Sequence, residues 1–107
     1  MPPASQVDPW TALGDPTRKA IFEYLVDRPR AVLELARELP VSRPAVSQHL
    51  RVLKAAGLVI DRPVGRHRIY QVDPDGLAAL RSDLERFWGK TLAGYKTRVE
   101  QPREEKR

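Results

Sequence analysis

Residues 40–59 read PVSRPAVSQHLRVLKAAGLV, and this stretch decides the fold. Its apolar side chains Val46, Leu50 and Leu53 recur at i, i+4 and i+7, which is the spacing of one buried face of an α-helix. Ser42 stands before the first turn as an N-cap residue. The stretch therefore predicts a helix with a fixed start and one face that belongs in a core.

The opposite side of this helix carries charge of one sign only. No Asp or Glu occurs in residues 43–60, whereas an ordinary solvated helix mixes acidic and basic side chains in i,i+4 pairs. Arg, Gln and Ser donate hydrogen bonds to base edges and phosphates in the major groove of DNA. We therefore predict a DNA recognition helix rather than a solvated surface helix. Its candidate contact residues are Ser42, Arg43, Ser47, Gln48, His49, Arg51 and Lys54.

Within that set, His49 is a special case. It sits at the edge of the buried face, so a half-buried role in orienting the helix is favoured over direct contact with DNA. Thr17 and Arg18 open an earlier helix, and either one is a candidate for reaching a phosphate.

A second basic cluster follows the helix. Strand composition occurs at about Leu58 to Asp61 and Arg68 to Val72, and Pro63-Val64-Gly65 supplies the turn between the two strands. We predict a two-stranded hairpin whose basic residues contact phosphate or enter the minor groove beside the recognition helix. Those residues are Arg62, Arg66, His67 and Arg68.

The remaining helices complete a winged helix. Pro40 ends a helix at about Val32 to Leu39, and the short connection to Ser42 makes a helix-turn-helix corner. Asp-Pro pairs at 8–9, 15–16 and 73–74 mark helix starts, because Asp caps and Pro suits the first helical position. The predicted fold class is mainly α: a winged helix-turn-helix with a two-stranded β-wing and long N- and C-terminal dimerisation helices.

The last helix, from Pro74 to about Val99, is too long for the small domain to cover. Its large apolar side chains form a near-heptad stripe, which is typical of a helix that pairs with a second chain. An alternative is that the aromatic residues line a pocket for an effector, although the sequence identifies no such molecule. The predicted dimer-interface residues on this helix are Leu80, Leu84, Phe87, Trp88, Leu92 and Tyr95.

Composition limits the remaining function classes. The chain has 107 residues, a net charge of +5 and no Cys, so we expect one domain over residues 1–100, a charged disordered tail over 101–107, and a polyanionic partner. The N-terminus lacks the apolar core of a signal peptide, and no run is apolar enough to span a membrane. We expect a cytoplasmic protein without membrane contact. No nucleophile–base pair, phosphate loop or paired acids indicate an enzyme, and no cofactor or metal is predicted.

Three stretches together resemble the ArsR family of bacterial winged-helix repressors. They are ALGDPTRKAIFEYL, VLELARELPVSRPAVSQHLRVLKAAGLV and RPVGRHRIYQVDP, and the match covers about residues 10–88. The resemblance implies a homodimer that binds operator DNA, represses transcription, often of its own operon, and pairs through its first and last helices. Pairing through the first helix adds Trp10 and Leu13 to the predicted dimer interface. The alternative is an interaction module that keeps the winged-helix scaffold without reading DNA; such modules usually lose the basic recognition face.

The chain departs from the metal-sensing members of that family. Those members carry a Cys-Val-Cys-Asp-Leu motif, whereas this chain has Ala-Val-Leu-Glu-Leu at residues 31–35. Other members hold zinc between paired last helices through Asp and His, but residues 74–99 contain no His. The sequence therefore resembles a non-metal branch of the family.

Overall fold

The computed structural model describes residues 7–100, with side chains described up to residue 96. The predicted tail, residues 101–107, lies outside the described residues. The elements follow one another as α1 (Pro9–Leu13), α2 (Pro16–Asp27), β1 (Arg30–Ala31), α3 (Val32–Glu38), α4 (Arg43–Ala55), β2 (Val59–Val64), β3 (His67–Val72) and α5 (Pro74–Glu100).

The helix starts lie where the cap residues predict them. Asp8 accepts a hydrogen bond from the backbone N–H of Thr11 at 2.8 Å, and Asp15 accepts one from Arg18 at 2.9 Å. Ser42 caps α4 in the same way. The N-terminal element is shorter than a long dimerisation helix: α1 has five residues, because Gly14 and the Asp15 cap separate it from α2. Only α5 is long.

One core joins the helix-turn-helix to the rest of the chain. Val46, Leu50 and Leu53 of α4 are completely buried, as their spacing predicts, and they contact Ile21 and Leu35 among others. Burying a side chain of this size contributes about 1.5–3 kcal/mol to folding. The apolar face of α4 therefore fixes the direction in which its polar face points.

The sheet has three strands, so the prediction of a two-stranded wing is incomplete. Strand β1 pairs antiparallel with β3, with Arg30 opposite Tyr70, and the order is β1-β3-β2. Arg30 is 6% exposed. It forms ion pairs with Asp27 and Glu38, which is how a buried charge is tolerated.

The wing turn also lies later than predicted. Strand β2 runs through Pro63 to Val64, which pairs with His67, and the turn is formed by Gly65 and Arg66. Gly65 has φ 60°, a left-handed conformation that suits glycine. Pro63 is accepted because β2 is an edge strand, where a missing N–H breaks no ladder bond on the outer side.

Two glycines let α5 start close against the end of α4. Gly57 has φ 77° and follows α4 in the position of a C-cap glycine, with the N–H of Leu58 donating to the carbonyl of Leu53 at 3.0 Å. A Cβ on Gly76 would overlap the carbonyl oxygen of Gly57. The first turn of α5 therefore lies directly on the backbone that links the recognition helix to the wing.

The far part of α5 extends beyond the chain's core, and the extents of the chain with this helix included are 70 × 33 × 22 Å. Leu80, predicted as a dimer-interface residue, is 7% exposed and belongs to the chain's own core, so one chain already covers most of it. It is covered because it lies near the start of α5, where that helix still contacts the domain. Leu84, Phe87, Trp88, Leu92 and Tyr95 are 45–64% exposed.

Candidate nucleic-acid interface

A basic cleft lies between the recognition helix and the wing. Its volume is about 380 Å³, and residues at the start of α3 also line it. Seven of the eleven residues that the sequence predicts as DNA contacts line this one cleft. They are Arg43, Ser47, Arg51 and Lys54 of α4, Arg66 of the turn, and His67 and Arg68 of β3.

The other four predicted contacts lie outside the cleft lining. Ser42 is exposed at the start of α4, where its hydroxyl accepts the N–H of Ala45 at 3.3 Å. Gln48 is exposed beside the cleft. Arg62 is also exposed, and it lines a smaller groove of about 140 Å³ with Gln71 on the hairpin. The structure therefore separates Arg62 from the basic residues at the turn.

Two residues of the recognition helix orient each other. Nη1 of Arg51 donates to Oε1 of Gln48 at 2.5 Å, and both side chains are exposed. A guanidinium held by one hydrogen bond keeps its other N–H groups in a fixed plane, which suits bidentate contact with a guanine edge. The two side chains are thus coupled on the exposed face of α4 rather than independent of each other.

His49 is half-buried and lies next to Arg18 of α2 rather than in the cleft. Its Nδ1 is 3.4 Å from Nη1 of Arg18, whose Nε donates to the carbonyl of Ala12 at 2.9 Å. Arg18 is therefore turned toward the protein interior, and it joins the end of α1 to the middle of the recognition helix. This agrees with an orienting role for His49, and it leaves Thr17 as the remaining candidate for a phosphate.

Sequence reasoning missed Asp61, the one acidic residue between positions 39 and 72. Its side chain is 5% exposed and forms ion pairs with Lys54 at 2.8 Å and Arg68 at 2.5 Å. The hydrogen bond from Lys54 is the main reason that the pKa of this carboxyl lies below its ordinary value, and the hydrogen bond from Arg68 is the second. The sequence does contain a signal for this residue: Asp61 is an isolated acidic residue among basic ones, directly after residues 43–60, which contain no Asp or Glu.

Residues 31–35, which correspond to the metal motif, form the capped start of α3. Oε1 of Glu34 accepts the backbone N–H of Ala31 at 2.9 Å, and this hydrogen bond is the main reason that the pKa of Glu34 is lowered. Glu34 thereby caps the start of α3. Within residues 7–100, no group of three or more His, Cys, Asp or Glu is placed to hold a metal ion.

The apolar surface outside the cleft centres on Trp10. Trp10 is 38% exposed and lies between two open apolar grooves, one on α2 and one on α5, of about 440 and 570 Å³. Its Nε1 donates to Oδ2 of Asp83 at 3.2 Å, and Asp83 is half-buried. Leu13 is partly covered and lines the groove on α2.

No helix among the described residues is both long and apolar enough to cross a membrane.

Comparison with known proteins places the helix-turn-helix in a known family. Residues 13–62 match a helix-turn-helix domain model. The chain is 67% identical over 86 residues to the HTH-type transcriptional regulator Rv2034 of Mycobacterium tuberculosis, and the match covers 80% of each chain. It is 43% identical over 72 residues to the HTH-type transcriptional repressor SmtB of the same species, which covers 67% of this chain and 53% of that protein.

Solved structures agree with these relatives. An ArsR-like transcriptional regulator from Rhodococcus sp. RHA1 superimposes with a TM-score of 0.69 at 35% identity, covering 86% of this chain and 89% of that one. Relatives and fold together identify a DNA-binding transcriptional regulator.

Proposed function

Because this chain belongs to the ArsR family of winged-helix transcriptional regulators, we propose that it represses transcription as a homodimer on palindromic operator DNA. One observation carries the proposal: side chains predicted from two separate stretches of sequence line a single basic cleft. Phosphate contacts from such a surface supply affinity, and donors on the recognition helix supply sequence preference. We also propose that the protein acts in the cytoplasm, where its DNA target lies.

Each subunit places α4 in a major groove. Arg43, Ser47 and the Gln48–Arg51 pair then lie at the base edges and the adjoining phosphates. Arg62, Arg66 and His67 of the hairpin contact the neighbouring backbone or the minor groove. Lys54 and Arg68 keep further N–H groups for phosphates in addition to those that they donate to Asp61.

The second subunit covers the exposed apolar surface. Trp10 with Leu84, Phe87, Trp88, Leu92 and Tyr95 forms an apolar surface that one chain leaves open, and Leu13 lies in the groove beside it. A two-fold symmetric contact between two such surfaces buries both at once. Two recognition helices then face the same side of a duplex, with half-sites about 34–36 Å apart.

The test is to identify the operator and then the complex on it. Purified protein is used for genomic footprinting, followed by a gel shift on the DNA upstream of its own gene. We expect one shifted band with two chains per duplex, and lower transcription of that promoter in a purified transcription reaction. A protein that ignores double-stranded DNA at low salt would instead support the interaction-module alternative, and higher transcription would contradict repression.

A further inference from the structure

Asp61 lies where the recognition helix meets the wing, and it uses both of its oxygens there. Oδ1 lies 2.8 Å from Nζ of Lys54, near the end of α4, and Oδ2 lies 2.5 Å from Nε of Arg68 on β3. The carboxylate is 5% exposed, whereas both cations are more than half exposed. One buried anion therefore fixes the helix and the wing relative to each other.

The same contact removes positive charge from the cleft. Lys54 and Arg68 both line it, but with Asp61 the three groups carry a net charge of +1 rather than +2. Phosphate contacts strengthen binding to every DNA sequence, while base contacts discriminate between sequences. A carboxylate that engages two phosphate-binding cations therefore lowers the share of affinity that is independent of sequence.

We propose that Asp61 is a positioning residue that determines specificity: it holds Lys54 and Arg68 in one arrangement and limits binding to DNA of arbitrary sequence. The inference rests on the proposed operator-binding function and concerns the same cleft. On a duplex without the operator, both cations stay on Asp61. Removal of the carboxylate charge releases them to any phosphate within reach.

The direct test is Asp61→Asn, which keeps the size of the side chain and removes its charge. Binding to the operator and to a scrambled duplex of equal length is measured by fluorescence anisotropy at several salt concentrations. For scrambled DNA we expect the slope of log K against log salt to steepen by about 0.9 for each cation that reaches a phosphate. For both cations together the slope should steepen by roughly 1.8 for each subunit that contacts DNA. The ratio of operator affinity to scrambled-duplex affinity should fall roughly tenfold.

The matched control is Asp75→Asn, the same substitution at an exposed position in the first turn of α5, outside the cleft. It changes the net charge equally, so it should reproduce only the general effect of charge. An effect of Asp61→Asn no larger than that of the control would overturn the proposal. Equal weakening on both duplexes would also overturn it, because it would indicate structural support alone.

A second pair of variants keeps the proposal testable if Asp61→Asn fails to fold by circular dichroism. Lys54→Met and Arg68→Gln remove the two cations singly from the otherwise intact chain. If Asp61 already holds both cations, each variant should leave the salt slope on scrambled DNA unchanged. A salt slope that is flatter by about one unit in either variant would refute the proposed role of Asp61. A wild-type chain that binds neither duplex would overturn the proposed function itself, whereas operator preference with unaltered slopes overturns only the role of Asp61.

Discussion

The inner face of α4 and the outer face of α5 carry the same kind of apolar side chain, but only the first is covered by its own chain. Leu50 and Leu53 on α4 are completely buried, whereas Phe87 and Trp88 on α5 are 55% and 63% exposed. The recognition helix is thus held by a core that one chain completes. In the proposed homodimer a second chain covers the stripe on α5, so the proposal assigns folding and assembly to different residues.

The largest expected effect is on the covered face. Leu50→Ala removes a completely buried side chain, and we expect the free energy of unfolding to fall by about 2–5 kcal/mol. The matched variant Leu84→Ala lies on α5, where the side chain is 55% exposed. In a dilute, monomeric sample it should change the free energy by less than about 0.5 kcal/mol. Urea denaturation of both variants measures the contrast, and equal losses would contradict it.

The next effect belongs to the exposed stripe. Phe87→Ser with Trp88→Ser removes two large apolar side chains that the chain itself leaves open. We expect the dissociation constant of the homodimer to rise by at least about 30-fold, because truncation of even one hot-spot aromatic costs about 2 kcal/mol or more. Sedimentation equilibrium measures it. The control Ala93→Ser lies two and a half turns after Leu84, on the opposite side of the helix, and a similar rise in that control would place the interface elsewhere.

A smaller effect, on DNA binding, distinguishes the contribution of the recognition helix from that of the wing. Arg51→Ala removes the residue held by Gln48, so operator binding should weaken by about 1–3 kcal/mol and sequence preference should relax. Arg66→Ala should weaken binding to all sequences alike and flatten the salt slope by about one unit. Anisotropy titrations read out both changes. Arg86→Ala on α5, outside the cleft, serves as the control; the same salt slope for Arg66→Ala and wild type would remove the wing from the interface.

The smallest effect concerns the N-cap of α2, outside the two compared regions. Asp15 accepts the backbone N–H of Arg18, and that hydrogen bond lowers the pKa of Asp15 below its ordinary value of 3.8. A carboxyl whose pKa is depressed by folding stabilises the chain above its unfolded pKa, and this contribution is lost as the pH falls through the folded value. Stability should therefore decline below about pH 4.

The variant Asp15→Asn isolates that contribution, because Asn caps a helix about as well as Asp and does not titrate. Urea denaturation between pH 6 and pH 3 should give a shallower decline for this variant than for the wild type. Identical pH profiles would show that the acid sensitivity arises at other carboxyls, such as Asp61 and Glu34, whose pKa values are lowered as well.

Local signals explain which parts of the fold the sequence predicts. The starts of α2 and α4 each depend on a cap residue that bonds within three residues, so Asp15 and Ser42 can be recognised without tertiary information. Strand β1 is only two residues long and exists because it pairs with β3, and no local pattern marks such a strand. The turn was predicted too early because Pro63 was assigned to it. Pro63 can lie within β2 only because that strand is at the edge of the sheet, and the local sequence does not show which strand is at the edge.

The site divides in the same way. The spacing of Val46, Leu50 and Leu53 fixes the outward face of α4, so the basic cleft residues on that helix were predictable. The contacts of Asp61 with Lys54 and Arg68 span seven residues in each direction and depend on how the hairpin folds back on α4. The burial of Leu80 likewise depends on where α5 leaves the domain.

Dimethyl sulfate protection of an operator duplex tests the central claim most directly, because the reagent reads guanine N7 in the major groove. The measurement is made with wild-type protein and with Arg51→Ala. We predict two symmetric patches of protection about one helical turn apart, both weakened together by Arg51→Ala. A single protected patch, or protection that Arg51→Ala leaves unchanged, would contradict a duplex read by two copies of α4.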